Sequence, residues 1–526
     1  MEDPHEQAVA TPPIAKLHAD LLWRIFVFNA VMERLSFDDI EIDAPLTTAR
    51  YTSQVCASWR QLIISSSSLW GNIIDLNSLH QKSDMWRNEV LVRTGNSPLS
   101  ISGFIYQLVD GPDILQFFES LLQNHWTRIV RVVVEIGWAP RKLHDDTWSA
   151  LACPAPNLKA FLIQTDSHLP DCFLSPGLSL FANYAPLLTR FDQPNHAPIN
   201  PNASWLPGIT SLSLNSVPTL SILLDMCSRM HSLQALKLSF SDKDPTPGIQ
   251  LRSVNLPSLT TLDIHGALNV ALEFLDNITP SPGCSLRLSL RLPSNFSNPS
   301  AELLFSHRII GGFADNYFSH HICSTCYLRY TPRDIRVEAI SYDNSYNKSQ
   351  SNFAVFTSGH PRSLTSAIAL FSATLLPAYF SHATTLHLSI APLTTAHSLG
   401  PLFCEFMTTM VTLEKLHVTT GGLNLFGVLQ QRFFPRLKTL VWVPSITNVE
   451  EWEESTNIIT DFLAMRRKIG FPIETLEWEM LSGVPMDINK FEELIGLKVV
   501  WQEISDDLEL IKENMYVGVG DSRSWV

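Results

Sequence analysis

The sequence is short of charge, and above all of positive charge. Lysine, arginine, aspartate and glutamate make up 17% of its 526 residues, against about 25% in typical soluble domains. Acidic residues number 51 and basic residues 37, so the formal net charge is −14. An acidic chain lacks the phosphate-neutralising surface that nucleic acid requires, and it has no polybasic stretch for an anionic membrane. We therefore expect protein partners, with no nucleic acid and no membrane.

The chain also lacks the marks of export and of membrane insertion. It opens on Met1-Glu2-Asp3-Pro4, whereas a secretory start needs a basic end followed by an apolar run. No uncharged apolar stretch reaches the roughly 18 residues of a membrane span. Its eight cysteines are scattered, unlike the spacing of a disulfide framework. These absences predict a cytoplasmic or nuclear protein with reduced thiols.

Motifs of the common enzyme classes are missing as well. The sequence contains no phosphate-binding loop, no dinucleotide-binding glycine pattern, and no Gly-x-Ser-x-Gly or His-Glu-x-x-His motif. We therefore predict that the protein is not an enzyme, has no catalytic residues and needs no cofactor.

One segment contains residue types that bind metals, His320-His321-Ile322-Cys323-Ser324-Thr325-Cys326. Two cysteines at this spacing can bind zinc from one loop, with a histidine as a third ligand. A structural zinc site also needs a second pair of ligands, and none lies nearby in the sequence. Buried or free thiols in an irregular loop are therefore the favoured interpretation, and no metal site is predicted.

An acidic run surrounds Trp452, formed by Glu450, Glu451, Glu453 and Glu454. Its simplest interpretation is the solvated start of a helix, where acidic side chains are favoured by the helix dipole. The alternative is a docking spot for a basic partner.

The N-terminal part of the chain contains a helical pattern. Residues 1–13 are polar, acidic and rich in proline, so they are expected to be disordered. A second helix is predicted to begin at Asp43-Ala44-Pro45, where an acidic cap precedes a proline. A third is predicted over residues 57–64, with Leu69-Trp70 packing back on it. The first helix is predicted from apolar residues at the spacing of one helical face: Leu17, Leu21, Leu22, Ile25 and Phe26.

The junction between the second and third helices has a specific signature. It reads Gln54-Val55-Cys56-Ala57-Ser58-Trp59-Arg60, and Leu69-Trp70 follows. Together with the helical face upstream, it resembles the F-box, a small module that docks on the Skp-type adaptor of cullin-RING ubiquitin ligases. The opening Leu17-His18 departs from the Leu-Pro usual in that family, and the loop between the two halves is longer.

The resemblance implies an adaptor-binding surface within residues 14–75. The alternative interpretation is that these residues only form the core of a helical cap, the usual fate of large apolar side chains. The residues that the resemblance assigns to the adaptor interface or its support are Leu17, Leu21, Leu22, Ile25, Phe26, Val55, Cys56, Trp59, Leu62, Leu69 and Trp70.

From about residue 125 a short theme recurs: apolar, two variable, apolar, one variable, apolar. Its spacing drifts, from 24 residues between Ile209 and Leu233 (233 − 209) to 36 between Leu437 and Ile473 (473 − 437). The period-2 ending predicts a short strand with one face buried, and helices are expected between strands, as at residues 220–227 and 423–429. Clear copies are Ile129/Val132/Val134, Leu158/Phe161/Ile163, Ile209/Leu212/Leu214, Leu233/Leu236/Leu238, Leu259/Leu262/Ile264, Leu413/Leu416/Val418, Leu437/Leu440/Trp442 and Ile473/Leu476/Trp478.

This theme, at a period of about 20–29 residues, is typical of leucine-rich repeats, whose units stack because one unit cannot bury its own apolar face. We predict an α/β protein, with a short N-terminal three-helix F-box followed by an irregular leucine-rich-repeat solenoid over residues 125–502. Residues 76–124 would connect or cap the two parts, and residues 503–526 would form a C-terminal cap and tail. Residues 291–380 show almost no repeat signal, and either a large irregular insertion or a partly disordered segment is expected there. An all-α helical-repeat solenoid is the structural alternative.

An F-box followed by such repeats is similar to the ligase receptors with leucine-rich repeats, including the degenerate forms found in mushroom-forming fungi. The resemblance implies a substrate receptor: the F-box would recruit the Skp-type adaptor and the cullin scaffold, and the concave strand face would hold a protein substrate. A non-ligase scaffold with a vestigial F-box is one alternative, and an enzyme with an unrecognised site is another. Strand alternation nominates outward residues for substrate binding: Ser211, Ser213, Gln234, Lys237, Thr261 and His265.

Overall fold

The chain divides into two compact units, Met1–Gln234 and Ala235–Val526, here called the N-terminal and the C-terminal unit. Residues 1–13, expected to be disordered, lie outside the described residues. A computed structural model describes residues 17–29, 45–80, 84–105, 112–137, 148–165, 179–194, 199–240, 251–292, 299–331, 334–341, 352–358, 377–391, 406–429, 433–443, 449–481, 491, 494–504 and 510–517.

The N-terminal unit opens with short helices at the predicted places. Pro45 occupies the first position of the second helix, where its fixed φ suits the helix and its missing N–H costs nothing. The third helix begins after Cys56, whose backbone is extended. Leu69 and Trp70 lie on a fourth helix that the sequence did not predict. The described helices of this unit are α1 (Ala19–Asn29), α2 (Pro45–Thr52), α3 (Ala57–Ser65), α4 (Ser67–Asn72), α5 (Asp84–Arg93), α6 (Pro112–His125) and α7 (Leu220–Cys227).

A parallel sheet follows helices α1–α4 in the N-terminal unit, and each of its strands pairs with the next in the chain. The sheet begins at Ile74, which pairs with Ile101. Residues 76–124 therefore contribute a full strand and do not merely connect or cap, which corrects the predicted start near residue 125. The strands are β1 (Ile74–Asp75), β2 (Leu99–Ile105), β3 (Ile129–Ile136), β4 (Ala160–Thr165), β5 (Arg190–Asp192) and β6 (Ser211–Leu214).

The repeated theme determines the register of this sheet. Val132 pairs with Phe161, Phe161 with Phe191, and Phe191 with Leu212, so the second apolar residues of successive copies stand in one line. All four are buried. A shift by one residue would turn this line out of the core, so burial specifies the register. Short 3-10 helices lie between the later strands, at Ser149–Ala152, Leu180–Asn183 and Leu206–Gly208.

The C-terminal unit combines a longer sheet with longer helices. Its described helices are α8 (Leu268–Asp276), α9 (Pro299–Phe318), α10 (Thr420–Leu429) and α11 (Val449–Lys468). Its described strands are β7 (Ala235–Ser239), β8 (Val254–Leu256), β9 (Thr261–Ala267), β10 (Ile278–Pro280), β11 (Ser285–Arg291), β12 (Thr325–Tyr330), β13 (Asp334–Ile340), β14 (Asn352–Ser358), β15 (Thr385–Ile390), β16 (Lys415–Val418), β17 (Thr439–Trp442), β18 (Thr475–Leu481), β19 (Lys498–Ile504) and β20 (Leu510–Val517).

Most pairings in this unit are parallel. β7, β9, β11 and β14 pair in that order, and a second parallel run leads from β12 through β15, β16, β17 and β18 to β19. β13 joins the two runs by pairing antiparallel with both β14 and β12. β20 closes the end by pairing antiparallel with β19, and β8 and β10 form a separate parallel pair. The chain thus forms a mixed α/β fold with a large, mostly parallel sheet, and the predicted class is confirmed at that level.

The segment 291–380 differs from its prediction. Instead of an irregular insertion, its described residues form the 20-residue helix α9 and the three strands β12, β13 and β14. The repeat theme is missing there because antiparallel strands replace the parallel unit. These strands still bury one face, with Ile335, Val337 and Val355 inside. Residues 293–298, 332–333, 342–351 and 359–376 lie outside the described residues.

The inward faces of the later strands repeat the pattern of the N-terminal unit. Leu416 pairs with Leu440 and Leu440 with Leu476, while Trp442 pairs with Trp478 in the next inward row. These side chains are buried. The theme therefore forms strands in both units, and the all-α alternative is wrong. Helices α7 and α10 cover the two interstrand segments predicted to be helical. Among the described helices, none has the length and apolar character needed to cross a membrane.

Candidate functional sites on the helical module and the sheet face

Helix α1 separates its apolar side chains into a buried and an exposed set. Leu22 and Phe26 are 9% and 5% exposed. Leu21, Ile25 and Phe28, on the other side of the helix, are 48%, 45% and 80% exposed. A small helical module that leaves such a stripe uncovered has a surface suited to a protein partner. Of the residues predicted for the adaptor interface, Leu21 and Ile25 are therefore accessible to a partner, whereas Leu22 and Phe26 support the helix from its buried side.

Trp59 lies half-buried on α3 and supports the same helix. Its ring meets the Phe26 ring edge to face, with centroids 5.0 Å apart. Leu62 is also half-buried, whereas Ile63 beside it is buried. Trp59 and Phe26 therefore join α1 to α3, and Trp59 is part core and part surface.

Leu69 and Trp70 belong to the interior. Both are 1% exposed, and Trp70 Nε1 donates a 2.8 Å hydrogen bond to the carbonyl of Ile63. The Arg93 guanidinium lies over the indole of Trp70, 4.6 Å from its centroid. The structure places these two residues where they brace α3 and α4, away from any surface for a partner.

The junction before α3 is exposed. Val55 is exposed, and so is Cys56, whose Sγ lies 3.1 Å from Ser58 Oγ. The hydrogen bond with Ser58 lowers the pKa of the Cys56 thiol. Leu17, ahead of α1, is exposed as well. These three residues are accessible to a partner, as the resemblance requires.

The unusual opening still starts a helix. The carbonyl of His18 accepts hydrogen bonds from the backbone of Leu21 and Leu22, and its ring Nδ1 accepts from Asp20 N at 3.3 Å. The His18 side chain therefore satisfies one N–H group of the first turn, that of Asp20, whereas a proline side chain at that position could accept no hydrogen bond and would only preset the backbone. The departure from Leu-Pro is compatible with the helix.

The six residues nominated for substrate binding are outward but divided. Ser211, Ser213 and Gln234 belong to the N-terminal unit, and Lys237, Thr261 and His265 to the C-terminal unit. All six are half-buried or exposed. The six residues therefore do not form one described site, and three of them lie on each unit.

In the C-terminal unit the outward side chains form one continuous line, here called the outer row. Lys237 stands at its start, opposite Asp263. His265 is the next outward residue on the same strand as Asp263, and its Nε2 lies 3.0 Å from Asp263 Oδ1. The strand pairings connect the outer row residue by residue: Lys237, Asp263, Arg287, Ala354, Glu338, Tyr327, His387, His417, Val441, Glu477 and Val500.

Three aromatic rings stack in the middle of the outer row. Tyr327 and His387 lie 4.1 Å apart between centroids, and His387 and His417 lie 3.9 Å apart, with nearly parallel planes. Burial, with Lys415 nearby, lowers the pKa of His387 to about 4. Burial, His387 and Lys415 together lower the pKa of His417 to about 4. Both imidazoles are therefore neutral at pH 7, which allows the stack.

A charged cluster lies beside this stack. Arg336 forms an ion pair with Glu338, and Arg287 Nη2 lies 3.9 Å from the same carboxylate. Both guanidinium groups approach the ring of Phe356, at 4.5 and 5.6 Å from its centroid. Arg336, Glu338 and Phe356 lie in the segment without a repeat theme, which is why sequence reasoning missed them. The available signal was the alternation of Asp334, Arg336 and Glu338 with apolar residues in β13.

The two cysteines of the cysteine and histidine segment are buried in the fold, Cys323 at 1% and Cys326 at 0% exposure. His321 Nε2 donates a 2.9 Å hydrogen bond to the carbonyl oxygen of Gly283, and its ring stacks on Tyr317. Burial raises the pKa of Cys323 to about 12 and that of Cys326 well above its usual value. Protonated, buried thiols are poor zinc ligands. Across the described residues, no three His, Cys, Asp or Glu side chains converge as metal ligands.

The acidic run begins a helix, as its simpler interpretation predicted. It opens α11, which starts at Val449. Glu454 is exposed, and the side chains of residues 449–453 lie outside what the structure describes. The alternative, a docking spot for a basic partner, stays a prediction.

Comparison with known proteins gives no family for this chain. No family model matches it, and no curated protein matches it either. The two surfaces above are therefore interpreted from their own chemistry and from the resemblance of residues 14–75.

Proposed function

We propose that the protein is the substrate-recognition subunit of a Skp–cullin–F-box type ubiquitin ligase. Helices α1–α4 act as the F-box that binds the Skp-type adaptor. The repeats act as an irregular leucine-rich-repeat array, and their outward strand face binds a protein substrate. The protein itself performs no chemical step. It raises the effective concentration of substrate near the ubiquitin-charged enzyme, which is sufficient for rate enhancement.

The exposed stripe of α1 is the observation that carries this proposal. Leu21, Ile25 and Phe28 remain uncovered, while Leu22 and Phe26 form the small core beneath them. Burial of such side chains in a complex contributes about 25 cal/mol per Å² of apolar surface removed from water. In the proposal Val55 and Cys56 extend the interface, while Trp59, Leu62, Leu69 and Trp70 hold the helices in position.

The sheet supports the repeat part of the proposal. In regular leucine-rich repeats an asparagine or cysteine follows the short strand; this residue is mostly absent here, and Asn215 is the one near-match. Its side-chain nitrogen donates a 2.9 Å hydrogen bond to the carbonyl of Gln193, next to the preceding strand. In one later copy Thr419 Oγ1 accepts a 3.1 Å hydrogen bond from Ile390 N on the preceding strand. These two bonds each join a strand end to its predecessor.

The test is capture of a Skp-type adaptor by the full-length protein. We expect stoichiometric capture, and we expect the double variant Leu21→Asp with Ile25→Asp to lose it, because two charges would enter an apolar interface. Met85→Asp on α5 is the matched control, since Met85 is also highly exposed and lies outside the signature. Circular dichroism of all three proteins shows whether folding is retained.

Failure of the intact, folded protein to bind the adaptor would contradict the proposal. The chain would then be a non-ligase interaction scaffold with a vestigial F-box. If the double variant and the control captured the adaptor equally well, the exposed side of α1 would not be part of the adaptor interface. Trp59→Ala is a less specific test because Trp59 packs on Phe26, so its loss would disturb the module itself. A cytoplasmic or nuclear location remains part of the proposal.

A further inference from the structure

Three arginines lie together on the outward face of the C-terminal unit, here called the arginine triad: Arg287, Arg329 and Arg336. They belong to β11, β12 and β13, and with β14 these strands are neighbours in the sheet. Their side chains are 46%, 57% and 38% exposed. The triad therefore presents guanidinium N–H groups at the surface.

The carboxylates near the triad do not balance it. Glu338 faces both Arg336 and Arg287, so two guanidinium groups share one carboxylate. Asp334 lies 3.9 Å from Arg329, at the limit of an ion pair. Asp263 stands opposite both Arg287 and Lys237 in the outer row, so four positive charges, Lys237 included, meet three negative ones, on a chain whose net charge is −14. The surplus is local and opposite in sign to the protein as a whole.

The strand register places like charges against each other. Arg329 and Arg336 are directly opposite in the antiparallel pair of β12 and β13. Like charges directly opposite each other destabilise a sheet. A bound anion between the two side chains would remove that repulsion.

Two members of the triad, Arg336 and Arg287, are also held in position before any ligand arrives. Arg336 and Arg287 rest on the two sides of one aromatic residue, Phe356, and Glu338 anchors both. Glu338 is in turn held by Asn352 Nδ2 at 3.2 Å. A guanidinium fixed in this way loses little entropy when it binds an oxyanion in its planar, two-pronged fashion.

We propose that the arginine triad binds carboxylate or phosphate groups on an extended acidic segment of a partner protein. This inference rests on the proposed function, in which the outward strand face binds a protein substrate, and it names the chemistry of that substrate. The neutral stack of Tyr327, His387 and His417 continues the outer row from the triad. It supplies an uncharged surface for the rest of the segment.

The experiment measures binding of fluorescein-labelled peptides to the full-length protein by fluorescence anisotropy. The probes are a ten-residue glutamate peptide, a serine–glycine peptide containing two phosphoserines, and a ten-residue lysine peptide. We expect both acidic probes to bind, with affinity that falls as salt rises, and the lysine peptide not to bind. The more tightly bound acidic probe identifies the natural source of the oxyanion.

The double variant Arg329→Gln with Arg336→Gln should weaken acidic-probe binding at least about tenfold, as expected when charge-assisted hydrogen bonds are lost. Arg308→Gln is the matched control, because Arg308 is an exposed arginine on α9 that pairs with Asp276, and it should leave binding unchanged. Equal binding by the two variants, or none by the intact protein, would overturn the inference. Tight binding of a single-stranded DNA oligomer that outcompetes both acidic peptides would also overturn it.

Adaptor capture distinguishes the two proposals. The triad variant should capture the Skp-type adaptor as well as the intact protein does. If the acidic probes fail while capture succeeds, the receptor proposal stands and the substrate chemistry is wrong. If the probes bind while capture fails, the triad is a docking site on a scaffold outside any ligase.

Discussion

The two units share an inward pattern and differ on the outward face. In the N-terminal unit the residues on the face opposite the core are mostly small or apolar, and several are buried. The strand pairings align them as Ser102, Val133, Leu162, Asp192 and Ser213. The first half of the outer row in the C-terminal unit instead contains charged and aromatic side chains at every position except Ala354.

The difference shows which positions the fold constrains. Inward positions must fill a continuous core, so the same apolar theme recurs in Phe161, Leu212, Leu440 and Leu476. Outward positions carry no such requirement and are free to hold Arg287, Tyr327 or His387. A face that differs so much between units built in the same way is where recognition is expected. Substitutions at inward positions are therefore expected to change stability more than substitutions at outward positions.

The largest effect is expected from the inward face. Phe161→Ala removes a fully buried ring that stacks on Phe191, 6.0 Å between centroids, and meets Phe181 edge to face. Such truncations cost about 3–5 kcal/mol. Hydrogen exchange measured over a range of urea concentrations should show this loss of stability as faster exchange in peptides that cover β3 to β5.

Leu162→Ala is the matched control, because Leu162 is the next residue along and points to the outward face, where it is half-buried. It should cost clearly less than Phe161→Ala. Equal losses would contradict the division into constrained inward and permissive outward positions.

A smaller effect is expected at a buried charge of the C-terminal unit. Arg466 is 2% exposed, and its Nη atoms donate to the carbonyls of Phe433 and Phe434 at 2.6 and 2.9 Å. Arg466→Ala leaves the buried Phe433 carbonyl without this donor, at about 1–3 kcal/mol, whereas the Phe434 carbonyl keeps the hydrogen bond from the backbone N–H of Leu437. The midpoint of urea unfolding, followed by tryptophan fluorescence, should fall accordingly.

Arg467→Ala provides the comparison for that loss, since the neighbouring Arg467 is exposed. It should change the unfolding free energy by no more than about 0.5 kcal/mol. If both variants lower the unfolding free energy by the same amount, the buried Arg466 contributes no more to stability than an exposed arginine does.

The smallest effect is expected from the outer row, and it depends on pH. The pKa of His387 and His417 is lowered to about 4 in the folded protein, against about 6.5 in the unfolded chain. Between these values the unfolded state binds more protons, so stability rises with pH across this window and is lost as pH falls from about 6.5 towards 4. Allowing for solvent screening, we expect on the order of 1 kcal/mol for the pair between pH 7 and pH 5.

The double variant His387→Gln with His417→Gln should reduce this acid sensitivity. Melting temperatures of the variant and of the intact protein at pH 7 and pH 5 provide the measurement, and NMR titration of the two rings provides the direct check. Lys415, Glu477, Tyr327 and Glu338 also face this part of the row, and none is altered by the variant. An unchanged difference between the two pH values would assign the acid sensitivity to other groups.

Much of the secondary structure was predictable from local pattern. The period-2 endings at Val132/Val134 and Leu416/Val418 became strands, and the apolar run Leu220–Cys227 became a helix. Prediction failed where the theme was missing. The strands β12, β13 and β14 contain apolar residues at alternate positions. Because antiparallel pairing does not require a repeated unit, no periodic copy of the theme marks them in the sequence.

The candidate sites were predictable only in part. The signature around Trp59 identified the helical module, but a sequence cannot separate Leu21 from Leu22, because both fit one helical face and burial depends on how α1 packs on α2 and α3. Alternation placed Lys237 and Thr261 outward. It did not reveal that Arg287, Arg329 and Arg336 meet, since these residues stand on three strands whose order does not follow the chain.

The sequence by itself determined the α/β class, the positions of the repeated strands and the helical signature at the N-terminus. These follow from residue-to-residue periodicity, which is a local property. Only the tertiary structure decided which apolar residues of α1 remain exposed, how Tyr327, His387 and His417 come to stack, and where the arginine triad forms. Those features depend on strand order and register between residues far apart in the chain, and no local pattern encodes them.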